Sequence, residues 1–98
     1  MPAKINEKYK GEWTGGDKVV MAALAQKILE DSALEKKAKS ADPQIFFNSI
    51  FPKVFDDAAQ DSYIESQDTY TSLFEDKAKY NAVMQALAEY VYREMRAR

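Results

Sequence analysis

Residues 77–95, KAKYNAVMQALAEYVYREM, carry the strongest periodic signal in the chain. Tyr80, Val83, Met84, Leu87, Val91 and Met95 recur at three- and four-residue steps, which puts them on one stripe of a helix. Asp76 stands just before it as an N-cap, and Glu75-Asp76 breaks the pattern that precedes. Upstream, Phe46, Phe47, Ile50, Phe51, Val54 and Phe55 crowd into one short stretch of anchors. Ser49 can cap a helix there and leave Pro52 in its first turn, so one long helix is expected from Ile50 to Phe74. Asp42-Pro43 pairs a capping aspartate with proline at the first helical position, where its missing amide costs nothing, and a short helix from Pro43 to about Asn48 follows. Ser32-Ala33-Leu34-Glu35 fits a capping box for a helix ending near Lys39. Asp17 caps the first helix, which runs to about Glu30 with Val20, Met21, Leu24, Ala25 and Ile28 on a single apolar stripe.

No run alternates with period two for long enough to form a sheet, and no internal repeat is visible. The expected fold is therefore all-α: a single-domain bundle of four to five helices over residues 17–98, preceded by a flexible, loop-like arm over residues 1–16 that Trp13 anchors. Phe46, Phe47, Phe51, Phe55, Leu73, Phe74, Val83, Leu87 and Val91 are expected to meet in one core.

The chain has 98 residues, 14 Lys+Arg against 16 Asp+Glu and a formal net charge of −2, which fits one soluble globular domain. There is no Cys, which excludes disulfides, thiolate catalysis and the common structural zinc sites. There is no His, which removes the usual general base and the commonest transition-metal ligand. The longest apolar run, Val19 to Ala25, falls far short of the roughly 20 residues that span a bilayer. No signal-peptide pattern follows the N-terminus, so a cytoplasmic protein with no membrane partner is expected.

Five constellations could carry function. Gly11-Glu12-Trp13-Thr14-Gly15-Gly16-Asp17-Lys18 approximates a phosphate loop but fails where it matters, because Asp17 puts a negative charge where the anion would sit and Val19 supplies no hydroxyl for magnesium. Glu35-Lys36-Lys37, with Asp17 or Asp31, approximates a nuclease acid-acid-lysine pattern on positions that read as a solvated helix face. Asp57, Asp61, Glu65 and Asp68 fall at helical spacing on one face of the long helix, where they form either a solvated surface or a docking surface for a basic partner; metal binding along one straight helix is poor geometry. Tyr63, Tyr70, Tyr80, Tyr90 and Tyr92 exceed what a small core needs, and because tyrosine suits an interface as well as amphipathic packing, four of them, Tyr63, Tyr70, Tyr90 and Tyr92, are candidates for a docking surface. The local basic densities are Lys36, Lys37 and Lys39 and the tail Arg93, Arg96 and Arg98, which either complement helix C-termini or contact phosphates. No residue is assigned as catalytic, metal-binding or cofactor-binding.

The runs VVMAALAQKILEDSALEKKAKSADPQIFFNSIFPKVFDDAAQ and SLFEDKAKYNAVMQALAEYVYREM, in that order, resemble the extreme C-terminal helical region of the R subunit of type I restriction-modification enzymes. The resemblance spans about Asp17 to Met95 and is carried by a short Leu34-to-Ala38 helix, the aromatic segment Asp42 to Phe55, the phrase Leu73-Phe74-Glu75-Asp76 and the closing Val91-Tyr92. It implies a part of a much larger ATP- and Mg²⁺-dependent DNA translocase and endonuclease, roughly a tenth of it by usual domain sizes. The implied role is assembly, docking the motor to the methyltransferase and specificity subunits. The nuclease and phosphate-loop residues have no counterpart here, so the fragment itself is expected to be no enzyme and to hold no cofactor. Two other classes remain open: a helical domain contacting the DNA backbone through its basic patches, and a free-standing small helical adaptor.

Overall fold

The computed structural model describes residues 13–98, and all the regular structure in them is helical. The elements are α1 (Gly15–Leu29), α2 (Ser32–Ser40), α3 (Pro43–Ile45), a π-helical turn (Phe46–Ile50), α4 (Phe51–Glu65), α5 (Gln67–Glu75) and α6 (Lys77–Arg96). The all-α bundle is thus as the periodicity implies. Residues 1–12 of the expected arm lie outside the described residues, while Trp13 packs partly buried against the core.

Several boundaries differ from expectation, each for a local reason. Asp17 is not the cap of α1. The cap is Thr14, whose hydroxyl accepts the Asp17 amide at 3.0 Å while the Asp17 carboxylate accepts the Thr14 amide at 2.9 Å. This is a reciprocal capping box, so Gly15 and Gly16 belong to the helix rather than to a linker. Asp31 likewise displaces Ser32 as the cap of α2, its carboxylate taking the amides of Ala33 and Leu34 at 3.0 and 3.1 Å. Asp42 and Asp76 cap α3 and α6 as read, accepting the Gln44 and Lys79 amides.

No new helix begins at Ser49. The chain runs from α3 through the π-helical turn into α4 without a side-chain cap. In a regular helix the ring of Pro52 would press on the Asn48 carbonyl and leave it without a donor. The widened turn containing Asn48, closed by the Phe51 amide donating to the Phe46 carbonyl, takes that carbonyl out of α-helical register and lets the helix pass the proline.

The expected long helix is also broken, at Ser66, whose φ of −144° and ψ of 61° leave the helical region. Unbroken from Phe51 to Glu75 it would be roughly 37 Å long, longer than the 35 Å maximum extent of the molecule. The break lets α5 fold onto α1, α4 and α6, so that Tyr70 and Leu73 are buried. Phe46, Phe51, Phe55, Leu73, Val83, Leu87 and Val91 meet in the core as expected, joined by Met21, Leu24, Ile28, Leu34 and Met95. Phe47 and Phe74 pack only at its edge.

α1 departs from a single-stripe reading. Val20, Met21, Leu24, Ala25 and Ile28 face inward, yet Val19, Ala22 and Ala23 are exposed on the opposite side, so apolar and small residues surround most of the helix.

Candidate functional site

The carboxylate ladder is divided by the Ser66 break. Asp57, Asp61 and Glu65 are exposed along α4, whereas Asp68 is exposed on α5 and no longer belongs to one helical face. Among the described residues, no three carboxylates come close enough to hold a metal ion. Asp56, beside them, ties α4 to α6, its carboxylate accepting the Tyr80 hydroxyl at 2.7 Å. Burial, that hydrogen bond and the charges of Asp56 and Asp57 raise the Tyr80 phenol far above its ordinary value.

The four tyrosines separate into distinct environments. Tyr70 is only 6% exposed and serves the core, which removes it from any docking surface. Tyr63 is half-buried edge-on to Phe74 at 4.7 Å, with its hydroxyl accepting from Gln67 Nε2 at 2.9 Å. Tyr92 is half-buried against Phe46 and Phe47, each at 5.0 Å between ring centroids. The Arg96 guanidinium lies 5.3 Å over its ring. Tyr90 is half-buried and lines the wall of a cleft between α1 and α6.

The basic groups divide in the same way. Lys39 pairs with Glu35 at 3.6 Å and donates to the Arg98 carbonyl at 3.0 Å. Arg96 donates to the Ala38 carbonyl at 3.3 Å and Arg98 to the Leu29 carbonyl at 2.9 Å. These two arginines satisfy carbonyls at the C-terminal turns of α2 and α1, where orphan acceptors and the negative end of the helix dipole favour a cation. Lys36 and Lys37 remain exposed on α2. Arg93 is exposed at the α1–α6 cleft, which Lys18 also lines.

One polar feature was missed in the sequence: Lys79 Nζ donates to both oxygens of Asp17, at 3.1 and 3.2 Å, with both residues buried. Burial pushes the Asp17 carboxyl up, but the Thr14 amide and the Lys79 ammonium outweigh that and hold it below its ordinary 3.8. The signal was available in the register of α6, because Lys79 lies four residues before Val83 and so on the apolar stripe. A lysine in that register either snorkels or finds a buried acid.

The α1–α6 cleft has a volume of about 710 Å³. A second, of about 400 Å³, lies between the π-helical turn and α6, lined by Phe47, Pro52, Met84 and Ala88. Among the described residues no helix is long and apolar enough to cross a membrane. Searched against known proteins, the chain matches no family model, no curated protein and no solved structure.

Proposed function

We propose that the chain is a non-catalytic helical assembly domain, corresponding to the C-terminal region of the R subunit of a type I restriction-modification enzyme and docking that motor subunit to the methyltransferase and specificity subunits. The observation that carries this reading is how the polar side chains are used. The buried pair Asp17–Lys79 and the arginine contacts to Leu29 and Ala38 tie helix to helix. The surface next to them offers apolar concavities and exposed charge, which suits recognition of another protein surface. The segment order of the resemblance supports the family part of the proposal. On this reading ATP and Mg²⁺ belong to other domains of such a subunit.

A contact with the DNA backbone retains less support, because Lys39, Arg96 and Arg98 are already engaged and only Lys36, Lys37 and Arg93 of the candidate cations extend freely into solvent. The deciding experiment is light-scattering chromatography of the chain mixed with a methyltransferase–specificity complex of a type I system. Co-elution at micromolar concentration is the expected result, and separate elution overturns the reading. Retention on duplex DNA that weakens steeply with salt would favour the DNA reading instead.

A further inference from the structure

Among the described residues, α1 is covered on one side only. Its inward face fills the core, while Val19, 62% exposed, and the exposed Ala22 and Ala23 present a second apolar surface outward. Helices that are apolar around most of their circumference are normally covered on more than one side. Beside this surface lies the α1–α6 cleft, with Ala22, Ala25, Leu29 and Tyr90 among its lining residues. Its charged residues are Lys18, Arg93 and Arg98 against a single carboxylate, Glu30, so the cleft is basic on a molecule whose net charge is −2. Arg98 is held by the Leu29 carbonyl, but among the described residues the side chains of Lys18 and Arg93 make no hydrogen bond or ion pair.

From this juxtaposition we propose that the α1–α6 cleft seats an amphipathic helix of a partner protein. Its small and apolar residues lie against Ala22, Leu29 and Tyr90, and its carboxylates lie beside Lys18 and Arg93. The inference rests on the assembly reading above and names the docking face that reading leaves open. Charge complementarity selects the occupant: apolar lining with cationic edges calls for an acidic amphipathic segment. The chain's own residues 1–12 carry Lys4, Lys8 and Lys10 against Glu7 and Glu12 and do not complement such a site.

Titration calorimetry against the methyltransferase–specificity complex tests this, with the chain in four forms: unaltered, Ala22→Glu, Arg93→Glu and Asp61→Lys. Thermal melts establish that each variant is folded, and Arg93→Glu, at an exposed position, still reports if Ala22→Glu does not fold. Ala22→Glu and Arg93→Glu are each expected to weaken binding by about tenfold or more, and Asp61→Lys on the acidic face by less than about twofold. Cleft variants that bind like the unaltered chain overturn the inference while leaving the assembly reading intact. An unaltered chain that does not bind the complex overturns both. Self-association abolished by Ala22→Glu would make a second copy the occupant, and duplex DNA binding abolished by Arg93→Glu would make it a phosphate backbone; either overturns the proposal.

Discussion

Lys79 occupies a place on α6 that its neighbours fill with Ala82, Val83, Ala86 and Leu87, and there its ammonium meets the buried carboxylate of Asp17. Removing one member of a buried pair leaves the other charged and uncompensated, which costs more than the pair itself contributes. Lys79→Met is therefore expected to destabilise the fold by about 3–5 kcal/mol in urea unfolding. The double variant Asp17→Asn/Lys79→Met should recover a large part of that loss, since no lone charge remains. If Lys79→Met costs as little as an exposed substitution, the pair is not buried in solution.

The same residues set the pH limits of the fold. Asp17 titrates in the folded state below its ordinary 3.8, so its contribution is complete above that pH and is lost as the pH falls through the folded value. Tyr80 titrates in the folded state above its ordinary 10.0, so its contribution is complete below pH 10.0 and is lost as the pH rises toward the folded value. Melting temperature followed against pH is expected to fall less steeply in acid for Asp17→Asn and less steeply in alkali for Tyr80→Phe than for the unaltered chain. Identical slopes in both cases would show that other groups control the pH response.

At the scale of elements, what could be read from the sequence depended on whether local and tertiary demands agreed. α6 was legible in full because its stripe, its Asp76 cap and its lack of glycine and proline all point the same way. The caps of α1 and α2 were legible only to within a few residues, since Thr14 and Asp17, or Asp31 and Ser32, are chemically equivalent candidates and only the backbone path selects between them. The break at Ser66 was not legible: Ser62, Tyr70 and Leu73 keep helical spacing across it, and it is the size of the core that forces the turn. Of the candidate site, Lys18 was read only as the end of the phosphate-loop-like run and Arg93 only as a cation at a helix C-terminus or a phosphate contact, because the cleft joins helices at opposite ends of the chain. Within α4 the two faces make a direct comparison. Phe55 is fully buried and Ile64 is 79% exposed, so Phe55→Ala is expected to cost about 3–5 kcal/mol and Ile64→Ala less than about 0.5 kcal/mol in denaturant unfolding. Similar costs at the two positions would mean that α4 presents a different face to the core.

Across the whole molecule, the polar links join the first helices to the last. Asp17 meets Lys79, Leu29 meets Arg98, and Ala38 meets Arg96, with α1 and α2 both packed on α6. Closing these contacts orders segments that are distant in sequence in a single step, and a small single core of this kind unfolds as one cooperative unit. Trp13, the only tryptophan, packs against the core one residue before the Thr14 cap, so its fluorescence reports on the N-terminal edge of that unit. Far-ultraviolet circular dichroism reports instead on all the helices, α6 most of all because it is the longest. If the links hold the two ends of the chain in one domain, urea transitions followed by the two signals coincide in midpoint and slope. A fluorescence midpoint at clearly lower urea would mean that Trp13 and the start of α1 detach first, with the Asp17–Lys79 pair failing to bind that end to α6.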